Sequence, residues 1–192
     1  MFGLINTLFG SKGDRSHSPV RSLKTAMTGV QFQQRVEGGE RRFQNVRLSE
    51  ADLRGLDLCN LVLVDSELVG CDLSQAALHN ANFSRTMLDR VNLTGAFLDG
   101  ANLFQASLVG CNLSHCQGVQ VNFSASDLSY ANLTWANLRS ANLSKSDMTA
   151  VNLTGANLED VNLEQAIGRD TAFKRLRLSL GGCIIRKRLT HQ

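Results

Sequence analysis

The side chains able to do chemistry are few and scattered. Asp52 with Asp72, and Asp127 with Asp147, are the nearest approach to paired carboxylates, each pair separated by twenty residues. Two such groups held together could divide the roles of general acid and base, or hold a hard cation weakly. His17, His79, His115 and His191 are isolated, without HExxH or any other spacing that brings two ligands to one zinc ion. Cys59, Cys71, Cys111, Cys116 and Cys183 form no CxxC pair, and their odd number does not read as a disulfide framework. A glycine-rich phosphate loop and a GxSxG turn are both missing. Catalysis needs a nucleophile, base or metal converging on one cleft. The expectation is therefore a non-enzyme with no catalytic residue, no metal site and no cofactor.

What positions these side chains is a period of five. Leu, Phe or Met fills 24 of the 25 positions from Phe43 through Leu48 and Leu53 to Leu163, and only Gly118 departs. Two residues earlier stands a small or slim side chain, as in Ala81, Val91, Ala101, Cys111 and Val121, and between the two lies Asn or Asp in most repeats. A helix advances about 100° per residue, so a step of five smears the leucines around the cylinder. On a straight strand an odd step sends successive leucines to opposite faces. The remaining solution is a chain that bends once per repeat, with the small residue and the leucine inside, and winds into a solenoid.

The run YANLTWANLRSANLSKSDMTAVNLTGANLEDVNL, residues 130–163, resembles the pentapeptide repeat family. The likeness covers residues 43–167, with a looser extension through Phe173 and Leu178. It implies an all-β fold, a right-handed quadrilateral β-helix with four repeats per coil. That amounts to about six to seven coils and a rod about 30 Å long at the usual strand spacing.

On such a coil, residues twenty apart stack. The Asp pairs then lie on a convex rod with no cleft, as solvated acids. Asn82, Asn102, Asn122, Asn142 and Asn162 form one amide column, and Asn92, Asn112, Asn132 and Asn152 another. Phe83 and Phe123 join Leu63, Leu103 and Leu143 inside. Cys71, Cys111 and Cys116 fall inside and are inert, Cys71 and Cys111 being two coils apart and beyond disulfide reach. Cys59 faces out. Gly118 removes one leucine from its column, and a local cavity, bulge or bend is expected there.

Charge is unevenly placed. Residues 1–42 carry seven basic and three acidic groups, residues 43–167 six and thirteen, and residues 168–192 seven and one. An acidic rod has two basic ends. Residues 1–21 read as a flexible segment with an amphipathic start, where Phe2, Ile5, Leu8 and Phe9 share a helical face. It could lie on a membrane, cap the rod or dock on a partner. Residues 22–42 place Leu23, Ala26, Met27 and Val30 at helical spacing and predict a helix that caps the first coil, ended by Gly38 and Gly39. Residues 168–192 read as an irregular final coil followed by a tail in which Arg186, Lys187 and Arg188 could meet anionic lipid or nucleic acid, or stay solvated. No apolar run reaches the ~18 residues of a membrane span, and the start lacks a signal-peptide pattern. A cytoplasmic protein, peripheral to a membrane at most, is expected.

Several outward positions are apolar without need: Val64, Val69, Phe97, Phe104, Val109, Tyr130 and Trp135. Among them Phe104, Val109, Tyr130 and Trp135, with Val64 and Val69, form a candidate protein-binding patch. The leading reading is a protein–protein interaction scaffold with an unidentified protein partner or a second copy of itself. One alternative is a DNA mimic that binds DNA gyrase or another type II topoisomerase, as the resemblance allows. Duplex DNA about 30 Å long carries about 18 charges, against a net −7 for residues 43–167, so that match is poor. A membrane-associated or secreted bacterial effector is the other alternative. Direct nucleic-acid binding is not expected.

Overall fold

The computed structural model describes residues 24–168. From Arg42 onward the chain forms a four-sided β-helix in which nearly every rung is a parallel bridge between residues twenty apart, such as Asp52 with Asp72, Asn92 with Asn112 and Asp147 with Ile167. Longer strands occur only at the start: β1 (Thr25–Met27), β2 (Arg42–Gln44), β3 (Val46–Ser49), β4 (Val62–Val64) and β5 (Glu67–Val69). β3 lies between β1 and β5 on one face, and β2 pairs with β4 on the preceding face.

A corner closes each repeat. The second residue after every leucine position, 25 in all from Asn45 to Gln165, has φ between +51° and +73°, and 19 of these are not glycine. A hydrogen bond spans the turn, as from Leu61 N–H to Leu58 O at 3.1 Å, the form of a β-turn with a left-handed third residue. Each left-handed non-glycine residue is strained by about 1–2 kcal/mol.

The backbone N–H groups of a repeat show why Asn or Asp recurs. In the repeat around Leu73, the Asp72 N–H donates to Ala51 O in the coil before, and the Leu73 and Gln75 N–H groups donate to Asn92 O and Thr94 O in the coil after. The Ala76 N–H closes the turn on Leu73 O. That leaves the Ser74 N–H, which donates to Asp72 Oδ1 at 2.8 Å. The same side-chain acceptor serves Ser84, Thr94, Phe104 and Ser124. A carbonyl or carboxylate oxygen at this position thus completes a ladder that would otherwise leave one donor per corner unpaired.

Amides also bond along the axis, from Asn122 Nδ2 to Asn102 Oδ1 at 3.0 Å and from Asn132 Nδ2 to Asn112 Oδ1 at 3.2 Å. Inside, the leucines, the small residues and the three phenylalanines Phe43, Phe83 and Phe123 make one continuous core. Hydroxyls that replace alanine in this core donate to carbonyls, as Ser126 does to Phe123 O at 2.7 Å.

The entry to the rod differs from the helix expected over residues 22–42. Residues 25–27 are a strand paired with β3, and the helix α1 spans only Gly29–Glu37. Its buried residues are Phe32 and Val36, while Val30 is exposed. The spacing of Leu23, Ala26, Met27 and Val30 misled because two of these belong to an edge strand that continues the β-helix toward its start. A Thr28–Gln31 capping box begins α1, and the Glu40 N–H to Arg35 O and Gly39 N–H to Val36 O bonds end it, with Gly39 left-handed. Phe32 packs against Phe43 with the rings tilted at 49° and their centroids 4.7 Å apart.

Gly118 brings no cavity or bend. Bridges run through the neighbouring Gln117 to Phe97 and to Asn137 without a break in register. A β-carbon at Gly118 would stand 3.1 Å from Val121 Cγ1 and 3.3 Å from Leu138 Cδ2. The neighbours have closed over the missing leucine. No helix among the described residues is long and apolar enough to cross a membrane.

Candidate functional site

The would-be catalytic carboxylates are structural. Asp52 and Asp72 are bridged neighbours, but each has its own partner. The Arg54 guanidinium, bonded to Asp52 at 2.6 and 2.8 Å, pulls the Asp52 carboxyl down to about 2. Burial opposes the charge of Asp72, yet donors from Ser74 and Asn92 outweigh it and hold its carboxyl below the ordinary value. Two acids that both stay ionised do not share a proton. Asp127 accepts from the Ser129 N–H and hydroxyl.

The thiols are equally quiet. Burial pushes Cys111 and Cys116 up to about 12 and raises Cys71. Cys59 is half-buried and also raised, first by burial and then by Asp57. His79 stands 3.6 Å from Asp99 and tilts against Phe97. Among the described residues no cluster of three His, Cys, Asp or Glu could hold a metal ion. His17, His191 and Cys183 lie outside the described residues, as do Phe2, Ile5, Leu8, Phe9, Arg186, Lys187 and Arg188.

The predicted outward patch is spread over three corner columns. Tyr130 and Trp135 occupy the two corners that bound the Asn132 face, and they are 67% and 62% exposed. Around them the surface of three coils is uncharged, from Ser129 through Asn132 and Thr134 to Thr149, Asn152 and Thr154, with His115 at one edge. Phe104 stands on a different corner, one coil earlier, and is only 37% exposed. Val64, on the same corner column as Phe104, is half-buried.

Val69 and Val109 lie on the corner column that ends in Ser129 and Tyr130, three coils and one coil earlier. They flank Met87 on the face of β3 and β5, in an open groove of about 440 Å³ completed by Glu67, Leu68, Gly70, Asp89 and Arg90. Met87 and Arg90 were missed in the sequence, although a signal was present. Met87 occupies the position that is Asn or Asp in most repeats, so an apolar side chain there has to face outward.

Corner side chains share one habit. A long residue at a corner lies over a glycine at the same corner one coil on: Glu50 over Gly70, Gln75 over Gly95, Asn80 over Gly100, Arg90 over Gly110 and Trp135 over Gly155. The missing side chain makes room for its neighbour, so the Trp135 indole packs over Gly155 while the residue stays 62% exposed.

The family model of pentapeptide repeats matches the chain in eight copies, over residues 42–76, 66–105, 98–131, 106–144, 119–155 and 146–180. Among solved structures, a pentapeptide repeat protein of the Arabidopsis thaliana thylakoid lumen is 32% identical over 67% of this chain and 76% of its own, with a TM-score of 0.49. A trypsin-treated QnrB1, a plasmid-mediated fluoroquinolone resistance protein, is 17% identical over 84% of this chain and 99% of its own, at a TM-score of 0.45. HetL of the cyanobacterium Nostoc sp. strain PCC 7120, involved in heterocyst differentiation regulation, is 26% identical over 75% of this chain and 98% of its own, at 0.26. No curated protein sequence matches the chain at a significant level.

Proposed function

The chain belongs to the pentapeptide repeat family, and from that premise we propose that it is a non-enzymatic protein-interaction scaffold. In this reading it is a right-handed rod of six to seven coils, closed at its start by α1, that presents outward residues to a protein partner in the cytoplasm. The observation that carries the reading is the pair Tyr130 and Trp135, two large aromatic rings more than 60% exposed on the corners of one uncharged face. Neither ring is needed for the core, and aromatic residues dominate the energetics of protein interfaces.

The test compares capture of proteins from a native lysate by the full chain and by the variant Phe104→Ser, Tyr130→Ser, Trp135→Ser. The variant should fold with unchanged circular dichroism and lose its partner. Equal capture by both would remove the aromatic residues from the function.

Mimicry of duplex DNA is less well supported. Four of the thirteen acidic groups of residues 43–167 are paired with a cation, Asp52 with Arg54, Asp65 with Arg85, Glu67 with Lys24 and Arg47, and Glu159 with Arg139, which leaves the net −7 well short of duplex DNA. A gyrase supercoiling assay at excess protein should show no inhibition.

A further inference from the structure

We propose that the groove between Val69, Met87 and Val109 is a docking site for a linear peptide segment of a partner protein, one that carries a large apolar side chain next to a carboxylate. The inference rests on the scaffold reading and names the chemistry of one partner. The groove crosses three successive coils, so it extends about 10 Å along the axis. Its volume of about 440 Å³ is within the range of ligand clefts, but it is open along the surface, which suits a segment laid across it better than an enclosed small molecule. Most of the lining surface is apolar, and Val69 and Met87 are 40% and 38% exposed.

Charge selects the occupant. Both carboxylates of the groove are engaged. Glu67 lies 3.7 Å from Lys24 and from Arg47, and Asp89 accepts from the Ser107 hydroxyl and the Val109 N–H. Arg90 differs. Among the described residues its guanidinium forms no ion pair and no hydrogen bond, and its stem lies over Gly110 at the rim. An unpaired guanidinium beside an apolar trough recognises a carboxylate adjoining an apolar group. The rod from residue 43 to residue 167 is net negative, so an acidic segment is repelled over most of its length and admitted beside Arg90.

The test is selection of a phage-displayed library of linear heptapeptides on the immobilised full chain, followed by fluorescence anisotropy of the most enriched peptide. Enriched peptides should pair a bulky apolar residue with Asp or Glu. Binding should weaken at least tenfold with Arg90→Glu and with Met87→Lys, stay unchanged with Tyr130→Ser plus Trp135→Ser, and recover against Arg90→Glu when the peptide's acid becomes Lys. Circular dichroism and Tm establish that the variants fold, and the charge-swapped peptide provides a gain that misfolding would not produce.

An empty selection, enrichment indifferent to Arg90, or binding lost with Tyr130 and Trp135 would overturn the proposal. So would a change in sedimentation coefficient with Met87→Lys, which would make the groove a contact between two copies of this chain. If the selection fails while capture still depends on Phe104, Tyr130 and Trp135, the scaffold reading stands without this groove.

Discussion

The indole of Trp135 lies against the backbone of Gly155, one coil further along the same corner, so closely that a β-carbon on that glycine would fall 2.6 Å from Cδ2 and 2.7 Å from Cζ3. Gly155 also has φ +73°. Gly155→Ala should therefore destabilise the protein twice, by about 1–2 kcal/mol of backbone strain and by displacing the ring. Trp135 is the chain's single tryptophan, so its emission reports the displacement as a red shift. In a Trp135→Ser background only the backbone part should remain. Equal losses in both backgrounds, measured by urea denaturation, would show that the ring does not pack on Gly155.

Val119 lacks the usual acceptor, because its repeat has Gln117 where Asn or Asp normally stands. Its N–H donates instead to Asp99 Oδ1, one coil earlier, at 2.7 Å. Asp99→Ala should leave that donor unpaired and cost about 1–3 kcal/mol, whereas Asp99→Asn keeps the oxygen and should cost much less. Amide hydrogen exchange at Val119 separates the two; similar protection in both variants would count against the bond.

Gly118→Leu would restore the repeat's preferred residue and should nonetheless destabilise. Val121 and Leu138 already occupy the space, and overpacking a closed core costs about 1–3 kcal/mol. A raised Tm would mean that a void remains at Gly118.

Stability should fall at both ends of the pH scale. The carboxyls of Asp52, Asp65 and Asp72 are depressed in the folded chain, Asp52 to about 2. The unfolded chain therefore takes up protons first, and stability present above their ordinary value near 4 is lost as pH falls toward 2. The thiols of Cys111 and Cys116 are raised to about 12, so the unfolded chain releases protons first, and stability declines as pH rises from about 9 toward 12. Cys111→Ala plus Cys116→Ala should flatten the alkaline limb and leave the acid limb alone. An alkaline limb of unchanged slope in chemical denaturation would rule out these thiols as its cause.

The solenoid is legible because its rule is written again in every repeat. Leu93, Val91 and Asn92 each announce a place inside, inside and at the ladder, and the next five residues say the same. Departures from the rule were harder to read. Gly118 looked like a defect, but whether neighbours close over a missing leucine depends on three-dimensional slack that no spacing encodes. Residues 25–27 carry too short an apolar signal to separate strand from helix, although Thr28 and Gln31, at capping-box spacing, mark where α1 begins. Column spacing places Tyr130 and Trp135 at neighbouring corners of one coil, with Phe104 and Val109 about one coil earlier. What spacing does not show is which way a corner side chain leans, as Arg90 does over Gly110 and Trp135 over Gly155.

The unbroken phase from Phe43 to Leu163 also defines what kinds of insertion and deletion the molecule can absorb. Removing twenty residues would shorten the rod by one coil and leave every later side chain on its own face. Removing five would keep every leucine inside, yet turn all that follows by a quarter revolution about the axis. Cut between Val69 and Met87, such an edit would carry Met87, Arg90 and Val109 onto the neighbouring side and dismantle the groove while the core stayed filled. In this architecture folding is indifferent to multiples of five, whereas the surface pattern is preserved only by multiples of twenty.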